Sequence, residues 1–188
     1  MIDLALETRE RLPDALRELA ENYPREAWES HDNFGGLVAF WLERHMMFRK
    51  LLSMMSGDVE AALDGDRDAH RFTQRLGRYG SMFVGELHGH HTIEDTHYFP
   101  VLSAREPAIS RGFELLETDH EALDGYLDAF VRRANGVIAV RDRPDFRDAA
   151  GAFREELVRL ERLLDRHLVD EEELVVPVIL RHGERALG

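Results

Sequence analysis

HHTIEDTHYFP at residues 90–100 and HLVDEEELVVP at residues 167–177 carry the same pattern. His90 and His167, Glu94 and Glu171, and Pro100 and Pro177 are each 77 residues apart (167−90, 171−94, 177−100). A lone histidine in an amphipathic run precedes each copy: His45 in WLERHMMFRKLL and His120 in LLETDHEALDGYL, 75 apart (120−45). Residues four apart on an α-helix share a face. His90 and Glu94 are therefore expected to point the same way, as are His167 and Glu171. A module His…His-x-x-x-Glu, repeated in one chain, is what two facing metal ions inside a helical bundle require.

Outward from these motifs the apolar periodicity is helical almost throughout. A first core helix is expected over about 37–55, stopping near Ser56-Gly57, and a second over about 67–104, with Pro107 just beyond. A third is expected over about 108–134, ending at Asn135-Gly136. A fourth is expected over about 144–182, interrupted near Pro177. Four long helices with short or moderate links predict an all-α, up-down-up-down four-helix bundle in a single domain, 1–188. The bundle would cover 37–182 as two internal repeats. Residues 1–33 read as an N-terminal helical extension, broken or restarted at Pro13, with too few apolar residues for a core of its own.

Composition narrows the chemistry. The 188 residues contain no cysteine, so disulfides, thiolate metal sites and cysteine nucleophiles are excluded. The net charge of −13, from 37 acidic and 24 basic residues, opposes binding to a phosphate backbone. No nucleotide-binding glycine loop is present, and no nucleic-acid partner is expected. The first two dozen residues lack the apolar stretch of a secretory signal, and no run is long enough to span a membrane. The expected setting is cytoplasmic, away from membranes.

The ligand arrangement drawn from this spacing gives one ion His45 and His90 and the other His120 and His167, with Glu94 and Glu171 bridging. Four neutral imidazoles and two carboxylates leave two divalent ions with residual positive charge, which favours a small anionic ligand. Nitrogen and oxygen donors without sulfur suit iron, manganese or zinc. Few protein ligands per ion leave positions open for a small molecule.

With these four elements in order, residues 37–182 resemble the hemerythrin-like, or HHE cation-binding, domains. The resemblance implies a four-helix bundle holding a non-heme di-iron centre. It also implies a reaction with, or binding of, a small oxidant: oxygen, peroxide or nitric oxide. As an enzyme the protein would be a di-iron oxidoreductase such as a peroxide-decomposing one. The alternative is a non-catalytic oxygen-, iron- or redox-sensing or iron-binding module, with the N-terminal extension as a transducing or homodimerising element. Oxygen-carrying hemerythrins have a fifth histidine in an H-x-x-x-H pair on the third helix. Here Leu116 and Asp124 flank His120 at that spacing, and the last carboxylate comes four residues after His167 instead of five. The resemblance therefore implies a more open and more symmetric centre.

Several further residues bear on the site. His97, seven after His90 and three after Glu94, should share their face as a further ligand, an outer donor or a proton shuttle. Glu86 is a candidate acceptor for an imidazole N–H, and Asp124 a weaker ligand candidate. His88 and His91 should project away from the site. Glu172 and Glu173 read as a solvated face. Trp41, Phe48 and Phe83 are core residues that would also wall the site, and Tyr79 and Tyr98 are packing residues within reach of a bound ligand. His31 should act locally near a helix start, and His70 and His182 should lie on the surface.

Overall fold

The computed structural model describes residues 4–66 and 68–186. Residues 1–3, Arg67, and residues 187 and 188, which the expected single domain, extension and second helix include, lie outside the described residues. Every regular element among the described residues is helical: α1 (Asp14–Asn22), α2 (Gly36–Asp64), α3 (Ala69–Ile93), α4 (Phe99–Arg105), α5 (Ser110–Ala139) and α6 (Phe146–His182). A π-helical turn, Glu94–Tyr98, joins α3 to α4, and short 3-10 turns cover Arg25–Ser30, Pro107–Ile109 and Glu184–Ala186. No helix among the described residues is long and apolar enough to cross a membrane.

Three expected helix ends are overridden by burial. α2 runs through Ser56 and Gly57, because Met55, Val59 and Ala62 continue its buried stripe while Gly57 faces outward. α5 likewise runs through Asn135-Gly136 to bury Val137, and neither residue adopts the left-handed conformation of a helix stop. Pro177 lies inside α6 without ending it. A mid-helix proline costs about 3 kcal/mol. The buried side chains from Leu174 to Leu180 offset this at about 1.5–3 kcal/mol each. At the other end of the chain, α1 begins only after Pro13, where the extension is expected to break or restart, and runs over Asp14–Asn22.

The chain divides into two compact units. The first takes residues through Met46, His90–Glu121 and the chain from Asp165; the second takes Met47–Gly89 and Ala122–Leu164. In the first, Val38, Trp41, Phe99, Leu102, Phe113 and Leu116 pack with the apolar run from Leu174 to Leu180. Leu12, Leu19 and Trp28 of the N-terminal segment are buried in the same cluster. Gly112 allows a close approach there, since a Cβ on it would lie 2.8 Å from both methyl carbons of Leu174. The second unit is built on aromatic rings: Phe48 on Phe83, Phe83 on Phe130, Phe130 on Phe153 and Phe153 on Phe72. Phe48 and Phe83, expected as walls of the site, thus belong to this second core.

Candidate metal centre

The first unit gathers the side chains from the repeated motifs. α2 supplies Trp41 and His45, and the last turn of α3 supplies His90 and His91. The π turn supplies Glu94, α5 supplies His120, and α6 supplies His167 and Glu171. His45, Glu94, His120, His167 and Glu171 are buried, and His90 nearly so.

The histidines pair as their spacing predicts. His45 Nε2 lies 3.1 Å from His90 Nε2, and His120 Nε2 lies 3.1 Å from His167 Nε2. Each carboxylate divides its oxygens between the pairs. Glu94 places Oε1 2.8 Å from His90 Nε2 and Oε2 3.6 Å from His120 Nε2. Glu171 places Oε1 3.3 Å from His45 Nε2 and Oε2 3.5 Å from His167 Nε2. Two donors bound at about 2.1 Å to one ion are separated by roughly 3–3.4 Å, so these gaps have the length of coordination edges.

Carboxylates behind the rings fix which nitrogen faces inward. His45 Nδ1 donates to Glu172 Oε1 at 2.9 Å, His120 Nδ1 to Asp95 Oδ1 at 2.8 Å, and His167 Nδ1 to Asp119 Oδ2 at 3.4 Å. An ionised carboxylate only accepts, so each Nδ1 carries a hydrogen, and in the neutral ring Nε2 presents a lone pair. His120 and His167 therefore face each other lone pair to lone pair, an arrangement that a cation between them resolves. Glu172 is 1 % exposed, which corrects its reading as part of a solvated face. Glu173 is half-buried and pairs with Arg17.

His91 is the residue that spacing misses. One position past His90 it should project away, yet it is 4 % exposed and stacks on His120 with ring centroids 3.9 Å apart. Neither ring nitrogen has a hydrogen-bond partner. His91, His120 and His167 form one group able to hold a metal ion; His45, His90, Glu94 and Glu171 form another. A fifth imidazole thus comes from α3, and the expected symmetry of the centre gives way to three histidines on one side and two on the other.

The electrostatics suit a cation. Burial pushes His90 down to about 3 and His91 well below its ordinary value, with neighbouring imidazoles adding to the effect. Burial also holds His167 down. These rings are neutral at pH 7, as metal ligands must be. His45 differs: burial opposes its charge, but Glu171 and Glu172 outweigh that and raise it to about 9. Burial and the adjacent Glu171 push Glu94 well above the carboxylate range. Burial would raise Glu171 as well, but His45 and the other imidazoles hold it well below. Both oxygens of Glu94 and Oε2 of Glu171 are buried without a hydrogen-bond partner. Buried orphan acceptors are costly unless a cation satisfies them, so the donor set fits divalent metal.

The wall of the centre is Trp41, whose indole N–H donates to Glu171 Oε1, and Phe99, stacked on His120 at 5.6 Å. Tyr98 packs edge-on against Trp41, at 4.9 Å. His97 is exposed and bonds to Thr96 Oγ1 at 2.6 Å, outside the cluster. The π turn is the reason: its extra residue rotates the succeeding residues by about one helix position, carrying His97 off the face of Glu94. Pro100 sits just after that turn, whose wider loop accommodates the missing N–H. His88 and Asp124 are exposed, Glu86 is half-buried, and Tyr79 lies in the second unit beside Arg75. His31 accepts from Asn33 N at 3.1 Å, and His70 is exposed. His182, expected on the surface, is half-buried and bonds to Glu106 at 2.8 Å.

Compared with known proteins, residues 36–179 match the family model described as Hemerythrin HHE cation binding domain. No curated protein and no solved structure matches the chain.

Proposed function

From the premise that this chain belongs to the hemerythrin HHE cation-binding family, we propose that it is a di-iron protein that binds or reacts with a small oxidant. His45 and His90 hold one ion; His91, His120 and His167 hold the other; Glu94 and Glu171 bridge them. The antiparallel four-helix bundle expected from the sequence belongs to this reading. The observation that carries it is the division of both carboxylates, one oxygen toward each histidine pair.

Iron held there supplies one-electron redox chemistry and open positions for oxygen, peroxide or nitric oxide. The protein's own part is to orient and to exclude. Glu172, Asp95 and Asp119 hold three imidazoles in the tautomer that presents Nε2 inward. Trp41 fixes one oxygen of Glu171, and Phe99 covers the face of His120. The absence of sulfur donors leaves zinc and manganese as competing occupants.

The test is elemental analysis of protein purified from iron-replete cells, with about two irons per chain expected. Glu94→Ala and Glu171→Ala should each lose the pair. Full retention of both ions in either variant, or a wild-type chain that takes up no iron, would sink the assignment. Hydrogen peroxide consumption by the iron-loaded protein then separates turnover from sensing or iron storage.

A further inference from the structure

Residues 4–34 precede the span that matches the family, yet three of their arginines reach carboxylates of the first unit. Arg9 is 6 % exposed. Its Nε donates to Asp170 Oδ2 at 2.9 Å and its Nη1 to Asp119 Oδ1 at 3.2 Å. Its Nη2 donates to Asp119 Oδ2, the same oxygen that accepts from His167 Nδ1. Arg25, whose guanidinium lies 4.6 Å over the Trp28 ring, donates to Glu172 Oε2. The other oxygen of Glu172 accepts from His45 Nδ1. Two relays result, Arg9–Asp119–His167 and Arg25–Glu172–His45, and they end on one histidine of each pair.

We infer that the N-terminal segment is a strap that sets the metal centre, with Arg9 and Arg25 as positioning residues acting through Asp119 and Glu172. The inference rests on the two-ion reading above. A buried carboxylate can hold an imidazole N–H in place only if it stays ionised and fixed in orientation. Each arginine supplies the compensating charge and a directional bond. Arg17, which pairs with Glu173 at 3.3 Å, and Arg166, which bonds both Asp170 and the Glu10 carbonyl, tie the same segment to α6. Trp28 and Leu12 anchor it in the apolar cluster. Metal retention is thereby made to depend on a stretch of chain outside the family's own span.

The experiment uses full-length protein loaded with cobalt(II), reading the visible spectrum and the rate at which a chelator extracts each ion. Arg25 is the safer target, because its side chain is 53 % exposed and Arg25→Ala leaves the core intact. Removing a partner behind a metal-bound histidine typically weakens metal binding about 10- to 100-fold. Arg25→Ala should release one ion faster by that factor and shift its spectrum, while the metal-free protein melts as wild type does. Arg25→Lys should restore part of the retention. Arg9→Lys should act on the ion held by His167, and failure of that buried variant to fold leaves the Arg25 pair decisive. Wild-type release rates and an unshifted spectrum in Arg25→Ala would overturn the strap. Wild-type protein that takes up no pair of cobalt ions would instead remove the two-ion reading on which it rests.

Discussion

Metal uptake should expel protons from this centre, in a number set by two of its ligands. In the metal-free chain His45 is raised to about 9 by Glu171 and Glu172 against the effect of burial. Glu94 is pushed well above the carboxylate range by burial and by Glu171. His45 therefore carries a proton at pH 7 that must leave before a metal can bind, and Glu94, being raised, adds to the release as pH falls. His90, held down to about 3 chiefly by burial, and His91 and His167, also lowered, are already neutral and release none. Loading at pH 7 should expel about one proton per chain from His45, with the count rising as pH falls and Glu94 takes up its own.

The sign is set by competition. Below pH 9 the proton on His45 opposes the metal, so apparent affinity rises with pH and that contribution ends near 9. Two pH units between 7 and 9 correspond to about 2.7 kcal/mol, or roughly a hundredfold in affinity from His45 alone. Calorimetric titration with zinc in buffers of differing ionisation enthalpy at pH 7 counts the protons, and repeating it at pH 6, 7 and 8 gives the slope. Proton release near zero together with a flat affinity would refute the assigned charge state and the ligand role of His45.

Other substitutions test the remaining parts of the structure. His91→Ala should shift the cobalt spectrum and weaken one ion while leaving the other, whereas His97→Ala should leave metal content unchanged; the reverse pattern would mean that the π turn has been placed wrongly. Gly112→Ala should lower stability by about 1–3 kcal/mol in denaturant unfolding, since its Cβ would crowd buried Leu174, less about 1 kcal/mol gained in helix propensity. Phe130→Ala removes a ring that contacts both Phe83 and Phe153, and should cost about 3–5 kcal/mol in the same assay.

The proposed ligands were legible from spacing because helical geometry is local. Four residues along a helix restore the same face whatever surrounds it, and the 77-residue offset repeats that geometry in a second helix. The structure brings His45, His90, Glu94, His120, His167 and Glu171 together in the pairs that this logic draws. His91 breaks the rule for a specific reason. One residue along a helix turns the side chain by about 100°, which takes it off a single-ion site but not out of the proposed two-ion centre. The matching position in the second copy is Leu168, so the repeat offers no second signal. His97 fails in the opposite direction, because it and Glu94 both lie in a single π turn, which shifts the register that the spacing assumes.

The helix ends and the outer carboxylates were hidden by a different cause. Gly57, Asn135-Gly136 and Pro177 are local stop signals of about 1–3 kcal/mol, and each precedes buried apolar side chains whose packing outweighs it. Glu172 reads as solvated because Glu171 and Glu173 flank it and nothing nearby in sequence neutralises it. Its partners are His45, 127 residues away, and Arg25, 147 residues away. Periodicity can say which face of a helix a carboxylate occupies but not which segment of chain covers that face. In this protein the cover is the N-terminal stretch, which is too poor in apolar residues to form a core of its own. Its arginines nevertheless lie at the spacing needed to meet the carboxylates of α5 and α6. The same residues that make the segment look like a solvated extension are the ones that bind it to the metal centre.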